Sequence, residues 1–268
     1  MRLGISSFTY GWAIDDATAP MIEVDLLNQT QAFGLNCLQI GDNLPLHTLP
    51  DERLQRFFQE TVNQNLRLEI GAKGLRPAHV QRYIQLAGRL KSPLLRFVID
   101  DTAYQPKPAE VTAIIREVLP ELAQRNLTLG IENHDRYKDT ELAGIMEAVG
   151  NERVGICLDC ANSLGANEGL AWVTEVLAPF TVNFHVKDFA IERLSHKMGF
   201  LVSGRPAGQG LLNLPWMLEQ LARYDRCQSA ILELWTVPEA DPVETVKKEA
   251  RWAEESITYL RSYFERAA

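Results

Sequence analysis

Long apolar runs are missing from this sequence. No stretch of about eighteen apolar residues occurs, so no membrane-spanning helix is expected. Positive charge is in deficit, with 27 Lys and Arg against 35 Asp and Glu and a formal net charge of -8. An acidic chain repels phosphate backbones, which argues against nucleic acid as a partner. Cysteine is sparse, at Cys37, Cys157, Cys160 and Cys227. The opening Met1-Arg2-Leu3-Gly4 runs straight into a strand-like segment and lacks the charged-then-apolar form of a signal peptide. Reduced thiols and a cytoplasmic location are therefore expected, rather than a disulfide framework. Linkers, low-complexity tracts and close internal repeats are also missing.

What is present is an ordinary globular composition. The 268 residues are 46% hydrophobic and 23% charged, enough for a substantial core in one large domain. Short apolar runs alternate with longer amphipathic stretches. Strands are predicted near 2–7, 37–41, 67–72, 93–100, 127–132, 153–159, 181–187 and 229–235. Helices are predicted near 20–33, 51–64, 77–90, 108–125, 139–149, 168–178, 214–223 and 241–264. Pro77, Pro108 and Pro215 fall near helix starts, and Gly34 and Gly150 fall where left-handed caps belong. Eight alternating strand–helix units suit a closed (β/α)8 TIM barrel occupying residues 1–268 as one domain; a doubly wound sheet is the other solution. The longest connection, Asp188 to Leu212, reads as a site-forming loop.

Strand alternation then orients the side chains. Leu127, Leu129 and Ile131 suit the helix layer, which sends Glu132 inward. The same rule sends Asp159, His185 and Glu233 to the same interior, each toward the C-terminal end of its strand, where barrel active sites form. Three carboxylates in one cavity repel each other, and a divalent cation resolves the conflict, with the histidine completing a mixed oxygen and nitrogen set. The bland alternative is four unrelated strand-end polar groups paired locally. Their matching positions favour the metal site. Glu69 and Arg96 also point inward and are expected to pair beneath it. Cys157 and Cys160 have redox-motif spacing, but alternation places them on opposite faces.

These residues resemble a known group, the xylose-isomerase-like barrel superfamily, which includes ketose 3-epimerases, inosose isomerases and dehydratases, hydroxypyruvate isomerases and endonuclease IV. The resemblance is carried by Leu3-Gly4-Ile5-Ser6-Ser7, Glu132-Asn133-His134-Asp135, Leu158-Asp159-Cys160-Ala161-Asn162, His185-Val186-Lys187-Asp188, Gly208-Gln209-Gly210 and Leu232-Glu233-Leu234-Trp235. It implies that Glu132, Asp159, His185 and Glu233 bind the metal and that Glu132 and Glu233 double as the acid/base pair. It implies manganese as the ion, with magnesium or cobalt accepted. Many relatives form dimers or tetramers, so a homo-oligomer is an expectation by analogy. The sequence departs from the 3-epimerases in two places. Asn162 stands where they carry a histidine, and Lys138 where they carry a second glutamate. Endonuclease IV fits worse, because its three-zinc site consumes several histidines and this chain has five.

Further candidates are ligands for substrate. Lys187 should face inward and hold a carboxylate or an enolate oxygen. Its alternative is an interior lysine neutralising the carboxylates. His134 sits above the barrel mouth or caps the following helix, and Asn162 takes the place of the missing histidine. Arg193 and Arg205, in a glycine-punctuated basic loop, would clamp an anionic substrate unless that loop is merely solvated. Phe8, Tyr10 and Trp12 suit an apolar wall. The expected activity is a metal-dependent isomerase or epimerase of a keto-sugar acting through an enediolate. The same electron sink serves a lyase, a decarboxylase or dehydratase of a keto-sugar acid. A non-catalytic sugar-binding barrel is the reading from a different class, and stoichiometric metal content discriminates against it.

Overall fold

The computed structural model describes residues 1–134 and 136–264. Its strands are β1 (Arg2–Ser6), β2 (Cys37–Ile40), β3 (Arg67–Lys73), β4 (Leu94–Val98), β5 (Thr128–Glu132), β6 (Val154–Leu158), β7 (Thr181–Val186), β8 (Phe189–Arg193), β9 (Phe200–Gly204) and β10 (Ser229–Leu232). β1 to β7 and β10 are parallel, pair with their neighbours in that order, and close through β10 onto β1. This is a single TIM barrel. The intervening helices are α1 (Gly11–Ile14), α2 (Glu23–Ala32), α3 (Asp51–Asn63), α4 (Pro77–Arg89), α5 (Pro108–Gln124), α6 (Asp139–Val149), α7 (Cys160–Ser163), α8 (Leu170–Leu177), α9 (Leu214–Ala222) and α10 (Pro242–Phe264).

The barrel wall follows from the alternation. Leu129, Ile131, Ile156, Leu158, Phe184 and Val186 are fully buried in the hydrophobic core. The interior surface instead carries polar groups that satisfy one another. Punctuation behaves as the residue types demand. Pro77 and Pro108 open α4 and α5, and Pro215 lies in the first turn of α9, where a missing N–H removes no helical bond. Gly150 closes α6 in the left-handed region at φ 59°, its N–H bonded to the carbonyl of Met146.

The Asp188–Leu212 connection is not a loop throughout. β8 and β9 form an antiparallel hairpin that stands on the C-terminal face of the barrel. Asp188 anchors its base, its carboxylate accepting from the N–H groups of Phe189, Gly208, Gly210 and Leu212 at 2.8–3.0 Å. Gly204 lets the hairpin backbone lie directly on Trp235, where an added Cβ would collide with the Trp235 carbonyl. Among the described residues, no helix is long and apolar enough to cross a membrane.

Candidate metal centre and active site

Each ligand candidate reaches the barrel interior from the end of its own strand. Glu132 is the last residue of β5 and His185 the penultimate residue of β7. Asp159 follows β6 and Glu233 follows β10. All four are buried, at 2%, 1%, 0% and 2% exposure respectively. Asp159 is also the N-cap of α7. Its Oδ1 accepts from the N–H groups of Ala161 and Asn162 at 2.9 and 3.2 Å, which turns Oδ2 into the cavity. Ligand atoms of Asp159, His185 and Glu233 all lie within 4.8 Å of one another, as do those of Glu132, Cys157 and His185. His185 joins the two groups, with Nδ1 3.3 Å from Glu233 Oε1 and 3.7 Å from Glu132 Oε2.

These residues fit a divalent cation. His185 Nδ1 is buried and among the described residues has no hydrogen-bond partner, although it faces two carboxylates. An imidazole nitrogen set among carboxylate oxygens is a donor set that suits a cation of borderline hardness. Positive side chains already share the space. Lys187 Nζ lies 3.0 Å from Asp159 Oδ2 and 3.5 Å from Glu233 Oε2, and it also donates to Asn162 Oδ1. Burial works against the Lys187 ammonium, but Asp159, Glu233 and Glu132 outweigh it and hold its pKa above the usual lysine value. Burial likewise raises the pKa of Glu132, while Arg96, His185 and Lys187 overcome that and keep it below the usual carboxylate range. Arg96 donates to Glu132 Oε2 and, at 2.7 Å, to Asp42 Oδ1. Asn162 Nδ2 donates to Glu132 Oε1 at 2.9 Å, so both oxygens of that carboxylate are engaged. Cys157 lies inside this cluster, 3.2 Å from His185 Nε2, and burial followed by Glu132 pushes its thiol well above the ordinary value.

A cavity of about 400 Å³ opens above these groups, lined by Phe8, Asp42, Lys73, Arg96, Glu132, His134, Asn162, Lys187 and Glu233 among others. A more apolar recess continues from it past Leu164, Val202 and Trp235 and shares Phe8, His134, Asn162, Lys187 and Glu233. The structure therefore gathers Glu132, Asp159, His185, Glu233, Lys187, Asn162 and His134 around one space. Arg193 and Arg205 are not among the described lining residues of either part. Arg193 stacks on Phe200 and donates to the Lys197 carbonyl, and Arg205 pairs with Glu192 at 2.5 Å. Both are held within their own hairpin. Tyr10 is buried away from the cavity, and Asp135 lies outside the described residues. The inward pair expected between Glu69 and Arg96 is not formed. Glu69 pairs with Arg67 instead, because Arg96 reaches upward to Glu132 and Asp42. Sequence reasoning passed over Asp42, Lys73 and Gln39. Only Gln39 carried a signal, since alternation places it inward beside Cys37 on β2.

Comparison with known proteins agrees with this architecture. Residues 72–263 match the family described as xylose isomerase-like TIM barrel. A 3-oxo-isoapionate decarboxylase of Pectobacterium atrosepticum is 31% identical over 261 residues, covering 97% of this chain and 95% of that protein. Two solved structures share the fold at 13% identity. One is a xylose isomerase-like TIM-barrel protein of Mycobacterium smegmatis in complex with magnesium, with a TM-score of 0.72 over 97% of both chains. The other is a D-psicose 3-epimerase of Clostridium cellulolyticum with D-tagatose, with a TM-score of 0.72 over 100% of this chain and 99% of that one.

Proposed function

We propose that this chain, which belongs to the xylose isomerase-like TIM-barrel family, is a divalent-metal-dependent decarboxylase of a 3-oxo sugar acid. The observation that carries the reading is Lys187, a half-buried ammonium interleaved with Asp159, Glu233 and Asn162 on the cavity floor. A 3-oxo acid loses carbon dioxide when the C1–C2 bond breaks and its electron pair passes into the enolate of the C3 carbonyl; C2 then takes up one proton. Such a reaction needs stabilisation of the developing oxyanion and no base to start it. Glu132, Asp159, His185 and Glu233 would hold the cation, which when bound supplies Lewis acidity toward a carbonyl oxygen. Lys187 is placed to donate a hydrogen bond to the same developing charge from a largely desolvated position. Asn162 orients Lys187 and Glu132 together through its two amide atoms. The 31%-identical decarboxylase supports the same substrate class. The acidic chain suits a small-molecule partner rather than a nucleic acid.

An isomerase or epimerase is the second reading. It is favoured by the approach of Glu132 and Glu233 to His185 Nδ1, at 3.7 and 3.3 Å. It asks Glu132 to accept a proton, yet against the opposing effect of burial Arg96 keeps the pKa of that carboxylate below the usual range, which makes it a weak base. The two readings separate in one assay. Purified protein with Mn2+ is given 3-oxo sugar acids and, separately, ketoses in deuterated water. Carbon dioxide release from the acid is expected, and Lys187→Met should lower turnover by about 10²-fold while metal content stays at the wild-type level. Deuterium incorporation into a ketose with no release from any acid would replace the decarboxylase reading with the isomerase.

A further inference from the structure

Beneath the ligand candidates lies a buried polar stack built from Gln39 on β2, Glu69 on β3, Asn183 on β7 and Ser229 on β10. We propose that Gln39 is a positioning residue that selects the tautomer of His185, so that the ring carries its proton on Nε2 and presents the Nδ1 lone pair to the metal. The inference rests on the metal reading above and deepens it.

Hydrogen-bond direction fixes the orientation of the Gln39 amide. Gln39 Oε1 lies 2.8 Å from His185 Nε2. The opposite end of the same amide, Nε2, donates to Glu69 Oε2 at 3.2 Å and to Asn183 Oδ1 at 3.1 Å. Both of those atoms are obligate acceptors. Glu69 is a carboxylate paired with Arg67 at 2.9 Å and bonded to the Ser229 hydroxyl at 2.8 Å. Asn183 commits its own NH2 to Ser229 Oγ at 2.8 Å, which leaves Oδ1 facing Gln39 and the Cys157 thiol. Turning the Gln39 amide over would set its oxygen against a carboxylate and a carbonyl while presenting N–H groups to the imidazole. That arrangement leaves buried acceptors facing each other and is strongly disfavoured. Gln39 is therefore locked as an acceptor toward His185, and a neutral imidazole that donates from Nε2 has its lone pair on Nδ1. Nδ1 is the ring atom found without a hydrogen-bond partner among the described residues, facing Glu132 and Glu233. The order of control runs upward through the barrel, from Arg67 at its lower end through Glu69 and Gln39 to the metal ligand.

Removing a partner of this kind from a metal-binding histidine weakens affinity by about 10- to 100-fold. The test measures Mn2+ affinity by titration, with no substrate present, for wild type, Gln39→Met and Glu69→Gln. Gln39→Met keeps the volume and deletes the acceptor, and a loss of about 10- to 100-fold is expected. Glu69→Gln keeps the packing and removes the charge that forbids the flipped amide, so a smaller loss is expected and serves as the readout if the first variant does not fold. Nitrogen NMR of the metal-free proteins reads the tautomer directly, before coordination at Nδ1 fixes it. Wild-type His185 should carry its proton on Nε2, and both variants should lose that uniform signature. A merely structural role would lower thermal stability and leave the tautomer unchanged. Wild-type affinity and an unchanged His185 signature in the variants would overturn the positioning role alone. Wild-type protein that takes up no Mn2+ would overturn the metal reading, and the positioning role with it.

Discussion

Arg96 is 4% exposed and touches two carboxylates, Glu132 and Asp42. Burying a guanidinium is tolerable only while such partners hold it, and the same holds for Glu132 in reverse. Deleting the cation leaves Glu132 buried without its main counter-charge, which costs about 3–5 kcal/mol in comparable buried pairs. Arg96→Met is therefore expected to unfold at markedly lower denaturant concentration than wild type when stripped of metal. Mn2+ should recover a large part of that loss, because it returns positive charge to Glu132. Equal destabilisation with and without the ion, in urea titrations of both proteins, would mean that Glu132 is not a ligand. The three inward acids and the one imidazole were legible in the sequence because period-two alternation is a rigid geometric rule. It did not reveal the partner of Arg96. Alternation fixes the face of a strand from which a side chain leaves, but not whether a long side chain then leans up or down the barrel axis. Glu69 and Arg96 were inward as expected and diverged along that axis.

At the scale of elements, the strands that build the barrel wall were readable because their outward faces are apolar and fully buried. The β8–β9 hairpin was not, for the same reason reversed. Ile191, Phe200 and Leu201 are exposed, at 45%, 59% and 52%, so no buried face imposes a pattern on the sequence. Its ends are fixed instead by Asp188, through four backbone N–H groups, and by the contact of Gly204 with Trp235. That contact lies two residues beyond Glu233, and Val202 on the same strand lines the recess beside Lys187. Gly204→Ala forces the hairpin and the Trp235 backbone apart. The expected result is a fall in kcat/KM of about tenfold or more, through misplaced walls and a shifted Glu233, with most of the folding stability retained. The comparison of kinetics with thermal melting checks it. Unchanged kinetics would show that the hairpin does not shape the site.

At the scale of the whole molecule, one acid ties the last helix to the first. Glu249 on α10 is 1% exposed and accepts from the N–H groups of Trp12 and Ala13 at 3.0 Å each, holding the last long helix against the turn that follows β1. Burial raises its pKa to about 7, a shift the two N–H donors only partly oppose. The unfolded chain ionises this group near the ordinary value of 4.5, while the folded protein keeps it protonated until pH approaches 7. The unfolded state thus binds fewer protons between those limits, so this group's contribution to stability falls as pH rises through the window. A shift of that size corresponds to about 3 kcal/mol in total, fully present as a cost above pH 7 and absent below pH 4.5. Other groups act differently. Asp42 and Glu132, held low by their cationic partners, lose stability only at more acidic pH, and His47 and His79, with lowered values, favour folding as pH rises. Their effects cancel in the difference between wild type and Glu249→Gln, because neither protein alters them. Denaturation measured across pH 5–8 is therefore expected to show the wild type losing ground to the glutamine variant as pH rises to about 7, and a difference that levels off above it. A difference that stays constant over the range would mean that Glu249 ionises in the fold as it does in the unfolded chain, and that the junction of α10 with the first strand is not proton-linked.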